Sequence, residues 1–311
     1  MKAIFLEKKA GPEDLILGEI PKPSPKAGEV LVKVHATTVM PTELQWFPTF
    51  NLPSGQPRPF PIVLGHELSG TVETLGTGVT NFNVGDVVYG INDWFANGAQ
   101  AEYCIAPATA LALVPASLDH VQSAVVPISA LTAWQGLFER TDLRKGQRIL
   151  IHGAAGGVGT FAVQLAHWRG ARVIATASAG NVEFVRSLGA EEVIDYRMQR
   201  FEKDLRDLDA VFDTIGGETL ERSWAVLKPG GKLVTIAAQS EGISDQRVRD
   251  AFMLVRADGS QLAEISKLID AGKIRVYAED AFPFARAREA FRRALNGRMR
   301  GKIPLSVLSN E

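Results

Sequence analysis

Apolar positions in the second half of the chain form short runs, separated by segments with helical spacing. The runs that predict strands begin with the one at Ile149 and continue over 171–177, 191–196, 208–215 and 232–237, and the predicted helices are 160–168, 181–188 and 218–227. Short, mostly apolar strands that alternate with amphipathic helices are typical of a parallel sheet with helices on both faces. This half predicts a doubly wound α/β domain of the Rossmann type, whose ligand binds at the carboxyl ends of the strands.

The first part of the chain has a different pattern. Strand candidates at 30–35, 64–72, 86–89 and 101–105 are separated by glycines and prolines, with little helical periodicity, which predicts a β-rich domain. After Gly272, a predicted strand over 273–276, a helix over 285–295 and a strand over 303–308 do not continue the α/β repeat. These last elements are consistent with a return of the chain to the β-rich domain.

A glycine-rich stretch, I-L-I-H-G-A-A-G-G-V-G, covers residues 149–159. Gly153 would allow a tight exit from the strand, Gly156 would let the backbone approach phosphate oxygens, and Gly159 would let the following helix pack closely. Glycines also occur in purely structural turns, but here the unpaired N–H groups of a helix start would face an anion. The predicted pyrophosphate site of a dinucleotide comprises Gly153, Ala154, Gly156, Gly157, Val158 and Gly159.

Composition narrows the classes of partner. The 311 residues are 46% hydrophobic and 22% charged, which is ordinary for a chain with two globular cores. A net charge of -1 gives no reason to expect nucleic acid or an anionic membrane. Cys104 is the only cysteine, so neither an intrachain disulfide nor a four-cysteine zinc lobe can form. Charges interrupt the first residues too early for a secretory segment, and no window has the roughly 18 apolar residues of a membrane span, so we expect a cytoplasmic protein.

The order of several motifs resembles the medium-chain dehydrogenase/reductase superfamily, and within it the zinc-independent NADPH:quinone oxidoreductase group. The motifs are G-H-E-L-S-G at 65–70, N-F-N-V-G-D-V-V at 81–88, A-L-T-A-W at 130–134, the glycine loop, L-G-A-E-E-V-I-D-Y, L-K-P-G-G-K-L-V and R-G-K-I-P-L. The resemblance implies a GroES-like catalytic domain over 1–120, completed by 273–311, and a Rossmann NAD(P)-binding domain over 121–272. It also implies an active site in the cleft between them and a homodimer.

In the zinc-dependent branch of this superfamily, the G-H-E motif supplies a catalytic metal ligand. A catalytic zinc needs three N, S or O ligands from the protein, yet the positions of the two cysteines hold Met40 and Ile128 here. We therefore expect no metal site and interpret His66 and Glu67 as structural residues that hold a strand to a neighbouring loop. A stray metal at His66 with Glu67 or Glu43 is the alternative.

The resemblance also suggests which residues face the substrate and the nicotinamide. Thr132 would bind the nicotinamide amide, and residues 40–43 would line the substrate side. Aromatic residues on the Pro-rich loop before the G-H-E motif, with Phe47 and Phe60 among them, either pin the loop to the core or face a flat apolar substrate. The substrate-cleft candidates are Met40, Glu43, Trp46 and Phe50.

Cofactor choice depends on the end of the second strand of the α/β domain. NAD sites carry an acidic residue there, but this chain has none between Thr176 and Glu183, which favours NADPH. By resemblance, Ser178, Asn181 and Tyr196 surround the 2′-phosphate, although the Lys or Arg that relatives often carry near 180–181 is missing. Tyr196 could instead be a core residue at a strand end. Lys302 could reach the cleft or be a solvated residue flanking the last strand, and we favour the flank.

The reaction follows from the cofactor and the missing metal ligands. Without a Lewis acid, alcohol oxidation loses its usual polarising group, whereas hydride transfer to an electron-poor acceptor remains feasible. The sequence therefore predicts an NADPH-dependent oxidoreductase that reduces small apolar quinones or α,β-unsaturated carbonyl compounds. The alternatives are a zinc-type alcohol dehydrogenase and an NADPH-binding crystallin-like or regulatory protein with little turnover.

Overall fold

The computed structural model describes residues 1–237, 240, 243–297 and 299–307. The chain forms two compact units. The first contains Met1–Ile128, Ala257–Gly272 and the chain from Val276 on, and the second contains Ser129–Arg256 and Lys273–Arg275. Among the described residues, no helix has the length and apolar character needed to cross a membrane.

The first unit is built mainly from antiparallel strands, which enclose a large apolar core. Its strands are β1 (Lys2–Leu6), β2 (Ile16–Glu19), β3 (Glu29–Val39), β4 (Ile62–Val63), β5 (Glu67–Leu75), β6 (Val87–Ile91), β7 (Tyr103–Pro107), β8 (Leu111–Leu113), β14 (Phe282–Pro283) and β15 (Ile303–Ser306), and its helices are α1 (Phe47–Phe50), α2 (His120–Ala124), α9 (Gly259–Asp270) and α10 (Ala287–Leu295). The larger sheet has the order β14-β15-β3-β5-β6-β8, with β7 also paired to β3, and the smaller one the order β2-β1-β4. The long strand β3 is central because its buried positions face the core on one side and α10 packs against it.

The second unit has one parallel sheet, as predicted. Its strands are β9 (Arg148–Ile151), β10 (Arg172–Ala177), β11 (Glu192–Asp195), β12 (Leu208–Asp213) and β13 (Leu227–Thr235), and its helices are α4 (Gly157–Trp168), α5 (Val182–Ser187), α6 (Phe201–Asp204), α7 (Gly217–Ser223) and α8 (Gln246–Ala251). The strand order is β11-β10-β9-β12-β13, so the chain reverses direction across the sheet beside β9. In an open parallel sheet, this switch point is where a ligand binds.

One helix runs from the first unit into the second. Helix α3 (Pro127–Trp134) starts at the end of the first unit and continues as a six-residue π-helix over Gln135–Arg140. Helices α2, α3 and α9 were not predicted from the sequence. In α9 the buried residues Leu262, Ile265 and Ile269 nevertheless have helical spacing.

The unit boundaries differ from the predicted domain boundaries in three places, at residues 121–128, 257–272 and 273–275. Residues 257–272 belong to the first unit because α9 packs on β8, and the Tyr89 hydroxyl bonds the Leu262 carbonyl at 3.0 Å and Ser266 Oγ at 2.8 Å. Residues 273–276 form no strand. Instead, Gln164 Nε2 donates to the Arg275 carbonyl oxygen at 3.0 Å, and Gln164 Oε1 accepts from the Arg275 N–H at 2.9 Å. These bonds place Lys273–Arg275 in the second unit.

Candidate functional site

The glycine loop leaves β9 at the carboxyl edge of the parallel sheet. The buried residue His152 directly follows this strand. Its Nδ1 lies 3.0 Å from Thr176 Oγ1, and its Nε2 lies 3.0 Å from Ser223 Oγ. Gly153 then turns the chain with φ +67°, and a Cβ there would lie 2.2 Å from Thr214 Oγ1. Burial lowers the pKa of His152 to about 3, so this imidazole is neutral and holds the turn rather than moving protons.

Gly156 and Gly159 have different surroundings. A Cβ on Gly159 would lie 2.2 Å from the carbonyl oxygen of Gly153, so this glycine is required for the close approach of helix and loop. A Cβ on Gly156 would meet only the Gly153 oxygen, at 3.3 Å, and its φ of -79° suits any residue. The protein's own packing thus gives little reason for a glycine at 156, whereas a phosphate group would.

The first turn of α4 provides amide donors at the same place. Gly156 is its N-cap residue and has no side chain to occupy the first N–H groups, and Gly157, Val158 and Gly159 follow. Unpaired N–H groups at the start of a twelve-residue helix bind an anion well. The loop fits the pyrophosphate of a nicotinamide cofactor.

The predicted 2′-phosphate residues lie at the ends of neighbouring strands. Strands β10 and β11 pair in parallel up to Ala177 and Asp195, so the segments beginning at Ser178 and Tyr196 leave the sheet side by side. Asn181 Nδ2 lies 3.5 Å from Ser178 Oγ. The Tyr196 side chain is 55% exposed, so the core interpretation of this tyrosine was wrong.

Arg197 is a basic residue that the sequence reading missed at this edge. Its guanidinium lies 5.7 Å from the centre of the Tyr196 ring, and its side chain is exposed. A cation was expected after β10, at 180–181, where this chain has none, whereas Arg197 follows the adjacent strand β11. Counting residues past the end of β11 as well as β10 would have found it.

Thr132 lies on α3 and is 4% exposed. Three residues later, Gln135 Nε2 donates to the Arg256 carbonyl oxygen at 2.9 Å, and Gln135 Oε1 accepts from the Arg256 N–H at 3.0 Å. Gly136 is needed there, because a Cβ would lie 2.2 Å from the Phe212 ring. These contacts fix the π-helix that continues α3 within the second unit. The contact of Thr132 with a nicotinamide stays a prediction.

The G-H-E motif is built into a buried polar cluster of the first unit. Glu67 Oε1 accepts from Thr38 Oγ1 at 2.5 Å and from the Lys302 ammonium, and Oε2 accepts from the Ile128 N–H at 2.9 Å. Lys302 is only 8% exposed, so the expectation of a solvated flank was wrong: the last strand places its ammonium beside a buried carboxylate. Burial lowers the pKa of Lys302, and the attraction of Glu67 opposes that effect.

His66 is equally engaged. Its Nδ1 lies 2.7 Å from Glu43 Oε1 and its Nε2 lies 3.0 Å from the Trp94 carbonyl oxygen, while its ring stacks on Trp94. Both nitrogens that could bind a metal therefore face protein oxygens. Among the residues that the structure describes, no group of three or more His, Cys, Asp or Glu side chains could hold a metal ion. The donor set therefore does not fit a catalytic zinc. The absence of a functional metal, and with it the structural role of His66 and Glu67, stays a prediction.

The substrate-cleft candidates divide into two groups. Phe50 is 8% exposed within the apolar core, and Glu43 is 1% exposed and bonds the Gly65 N–H as well as His66, so both have packing roles rather than the predicted substrate contact. Glu43 is the buried residue of a short 3₁₀ turn over Pro41–Gln45, and Phe50 lies at the end of the following helix α1. Met40 and Trp46 are partly exposed and remain predicted substrate contacts.

Comparisons with known proteins agree with both units. The family described as "Alcohol dehydrogenase GroES-like domain" matches residues 26–116, and the family "Zinc-binding dehydrogenase" matches residues 188–305. The chain is 34% identical to the mitochondrial NAD(P)H oxidoreductase RTN4IP1 of Mus musculus, a match that covers 90% of this chain and 82% of that protein. It is also 34% identical to the chloroplastic NADPH-dependent alkenal/one oxidoreductase of Arabidopsis thaliana, over 97% of this chain and 78% of that protein.

A solved structure matches over nearly the whole chain. The quinone oxidoreductase from Coxiella burnetii superposes with a TM-score of 0.88 at 31% identity and covers 99% of both chains. The fold prediction, a GroES-like domain with a Rossmann-type domain, is confirmed by these matches. The organelles in the relatives' names differ from one another, and the predicted cytoplasmic location of this chain stays a prediction.

Proposed function

The chain belongs to the medium-chain dehydrogenase/reductase superfamily, in its quinone-reductase-like group, and we propose that it transfers hydride from NADPH to quinones or α,β-unsaturated carbonyl compounds without zinc. As a member of this group it is an oxidoreductase that uses a nicotinamide cofactor. The acceptor class, the preference for NADPH and the independence from metal are the parts that we propose.

The state of the G-H-E motif carries the proposal. Alcohol oxidation in this superfamily depends on a Lewis acid to polarise the oxygen. Here His66 is held between Glu43 and Trp94, and Glu67 is held by Lys302, so the donors of such a site bind the protein itself. An electron-poor acceptor needs less polarisation, because the negative charge that arrives with the hydride is delocalised onto oxygen. The bound cofactor supplies the hydride, and the protein's part is to bind and orient.

The preference for NADPH rests on charge at the strand ends. No acidic side chain follows β10 before Glu183, which is itself exposed on α5. A carboxylate there would repel a 2′-phosphate. Ser178 and Tyr196 offer hydroxyl donors, and Arg197 offers a positive charge. These residues favour a phosphorylated ribose over a bare one.

The relatives agree with this choice of acceptor. One is named for alkenal and enone reduction with NADPH, and the solved neighbour is a quinone oxidoreductase. Both acceptor classes are conjugated carbonyl systems that take hydride without a metal, which is why we propose them together.

The test is NADPH oxidation with a panel of small quinones and enones, before and after treatment with a chelator. We expect turnover with at least one conjugated acceptor, no effect of the chelator, and little oxidation of simple alcohols. Efficient alcohol oxidation that disappears with the chelator would favour a zinc-type alcohol dehydrogenase instead. Tight NADPH binding without turnover of any acceptor would favour a crystallin-like or regulatory role.

A further inference from the structure

The buried carboxylate of Glu67 does more than pair with a lysine. Its side chain is fully buried, and its second oxygen accepts the Ile128 N–H at 2.9 Å. Ile128 is the second residue of α3. The first N–H groups of a helix have no partner within the helix, and the proline at the first position has no N–H at all. Glu67 therefore caps α3 from a neighbouring strand.

No local residue could take over this role. The residue before Pro127 is Val126, which has no side-chain acceptor. By contrast, the preceding helix α2 has a complete capping box made by Asp119 and Gln122. A carboxylate near the start of a helix also meets the positive end of its dipole. Glu67 thus supplies an acceptor to the start of α3 from 61 positions away in the sequence.

Lys302 places a counter-charge directly beside the buried Glu67 carboxylate. A buried carboxylate without a partner is strongly unfavourable, so it would be protonated or drawn out of place. Strand β15 pairs with β3 so that Ile303 lies opposite Val39 and Pro304 opposite Thr38, which leaves Lys302 at the strand end beside Glu67. Thr38 Oγ1 donates to Glu67 Oε1, the oxygen that also accepts from Lys302.

The helix that Glu67 caps also carries Thr132. Residues four apart lie on the same face of a helix, about one turn along, so Thr132 follows the capped Ile128 directly on that face. We propose that Glu67 and Lys302 are positioning residues, which hold the start of α3 and thereby set where Thr132 meets the nicotinamide. This inference rests on the proposed function, because it takes Thr132 as a contact of the nicotinamide end.

Two double variants test the inference. Glu67→Gln with Lys302→Met removes both charges but keeps an oxygen that can accept the Ile128 N–H. Glu67→Leu with Lys302→Met also removes both charges, but it removes the acceptor as well. Replacing a whole buried ion pair is far better tolerated than removing one member, so both proteins should fold. The two proteins differ in the acceptor that residue 67 offers to the Ile128 N–H and in the polar partner that it offers to Thr38 Oγ1.

The first measurement is the single-turnover rate of hydride transfer at saturating NADPH. We expect the Leu variant to lose about 10- to 100-fold, since a small misplacement of a positioning group has effects of this size. The Gln variant should lose no more than about threefold, because a neutral acceptor replaces a charged one. Thr132→Val should give a similar loss to the Leu variant and should add little to it.

The second measurement separates positioning from damage to the cofactor site. Adenosine 2′,5′-bisphosphate lacks the nicotinamide, so its Kd should stay within about twofold in all variants. Tyr89→Phe removes the hydrogen bonds of the Tyr89 hydroxyl to the Leu262 carbonyl and to Ser266 Oγ, which lie on α9 rather than on α3, and serves as the control for general loss of stability. Its transfer rate should match that of the natural sequence.

The outcomes distinguish the two proposals. If the natural sequence transfers hydride and the Gln and Leu variants transfer it equally fast, the positioning inference is wrong while the proposed function stands. If the Leu variant also loses adenosine 2′,5′-bisphosphate binding, the cap is a general structural element and the inference is again wrong. If the natural sequence binds neither this ligand nor NADPH, the proposed function itself fails.

Discussion

Gly156 offers a sharp test of the proposed cofactor site, because a side chain at this position would meet few atoms of the protein itself. An added Cβ would meet one backbone oxygen, at 3.3 Å, and the φ of -79° is ordinary for any residue. Alanine is a poorer N-cap than glycine by several tenths of a kcal/mol, but it also restricts the unfolded chain by about 0.4 to 1 kcal/mol. We therefore expect Gly156→Ala to leave the free energy of unfolding within about 1 kcal/mol of the natural value.

The same Cβ should interfere with the pyrophosphate. If it displaces the phosphate from one amide donor, the loss is about 1.5 to 3 kcal/mol, the range for a hydrogen bond to a charged group. This corresponds to roughly 10- to 100-fold in Kd. Gly156→Val projects two further methyl groups and should act more strongly. Because both cofactors share the pyrophosphate, NADPH and NADH should weaken alike.

The neighbouring glycines provide matched controls. Gly159→Ala would place a Cβ 2.2 Å from a backbone oxygen, and overpacking of this kind costs about 1 to 3 kcal/mol of stability. Gly153→Ala would add the strain of a left-handed φ of +67° to a similar clash. Thermal unfolding with calorimetric titration of each variant should thus show loss of stability at 153 and 159 but loss of affinity at 156. A folded Gly156→Val protein with unchanged affinity for both cofactors would refute the phosphate-loop assignment.

Three other predictions follow from the same structure. Ser178→Ala and Tyr196→Phe should each weaken NADPH by about 1.5 to 3 kcal/mol with little effect on NADH, and Arg197→Ala should act in the same direction; equal losses for both cofactors in titrations would mean that the 2′-phosphate lies elsewhere. The purified protein should contain no stoichiometric zinc, and elemental analysis that finds one zinc per chain, with activity lost on its removal, would contradict this. Burial, together with the neighbouring His120 and Lys33, lowers the pKa of His35 to about 4, and burial also lowers that of His120. Both rings are therefore neutral in the folded protein and bind protons more readily in the unfolded chain. The free energy of unfolding should thus fall by about 1 to 2 kcal/mol as the pH drops from 6.5 towards 4, a figure reduced because both rings are partly solvated. A denaturation midpoint that stays constant over this pH range would contradict the prediction.

The alternation of strands and helices was readable because the central strands of the parallel sheet are mostly buried. Strands β9, β10 and β12 are mostly apolar, although Asp209 interrupts β12. Helix α9 carries a comparable signal, since its buried residues Leu262, Ile265 and Ile269 have helical spacing. Its place in the first unit, however, depends on contacts with β8 and Tyr89. Helix α3 begins beside a carboxylate from β5 and continues as a π-helix, and neither feature can be read from the local sequence.

The site shows the same division between local and distant causes. The glycine loop could be located from sequence because its geometry is set by neighbours a few residues away: Gly159 is needed against Gly153, and Gly153 against the turn that it makes. Lys302 could not be interpreted in this way, since a lysine at a strand end is usually solvated and its partner lies 235 positions earlier. Burial of that lysine is intelligible only once Glu67 is seen to need a counter-charge while it caps α3. In this chain, the residues predicted to bind the cofactor are therefore encoded by short motifs. The lysine that lies beside the G-H-E carboxylate is instead placed there by the pairing of β15 with β3.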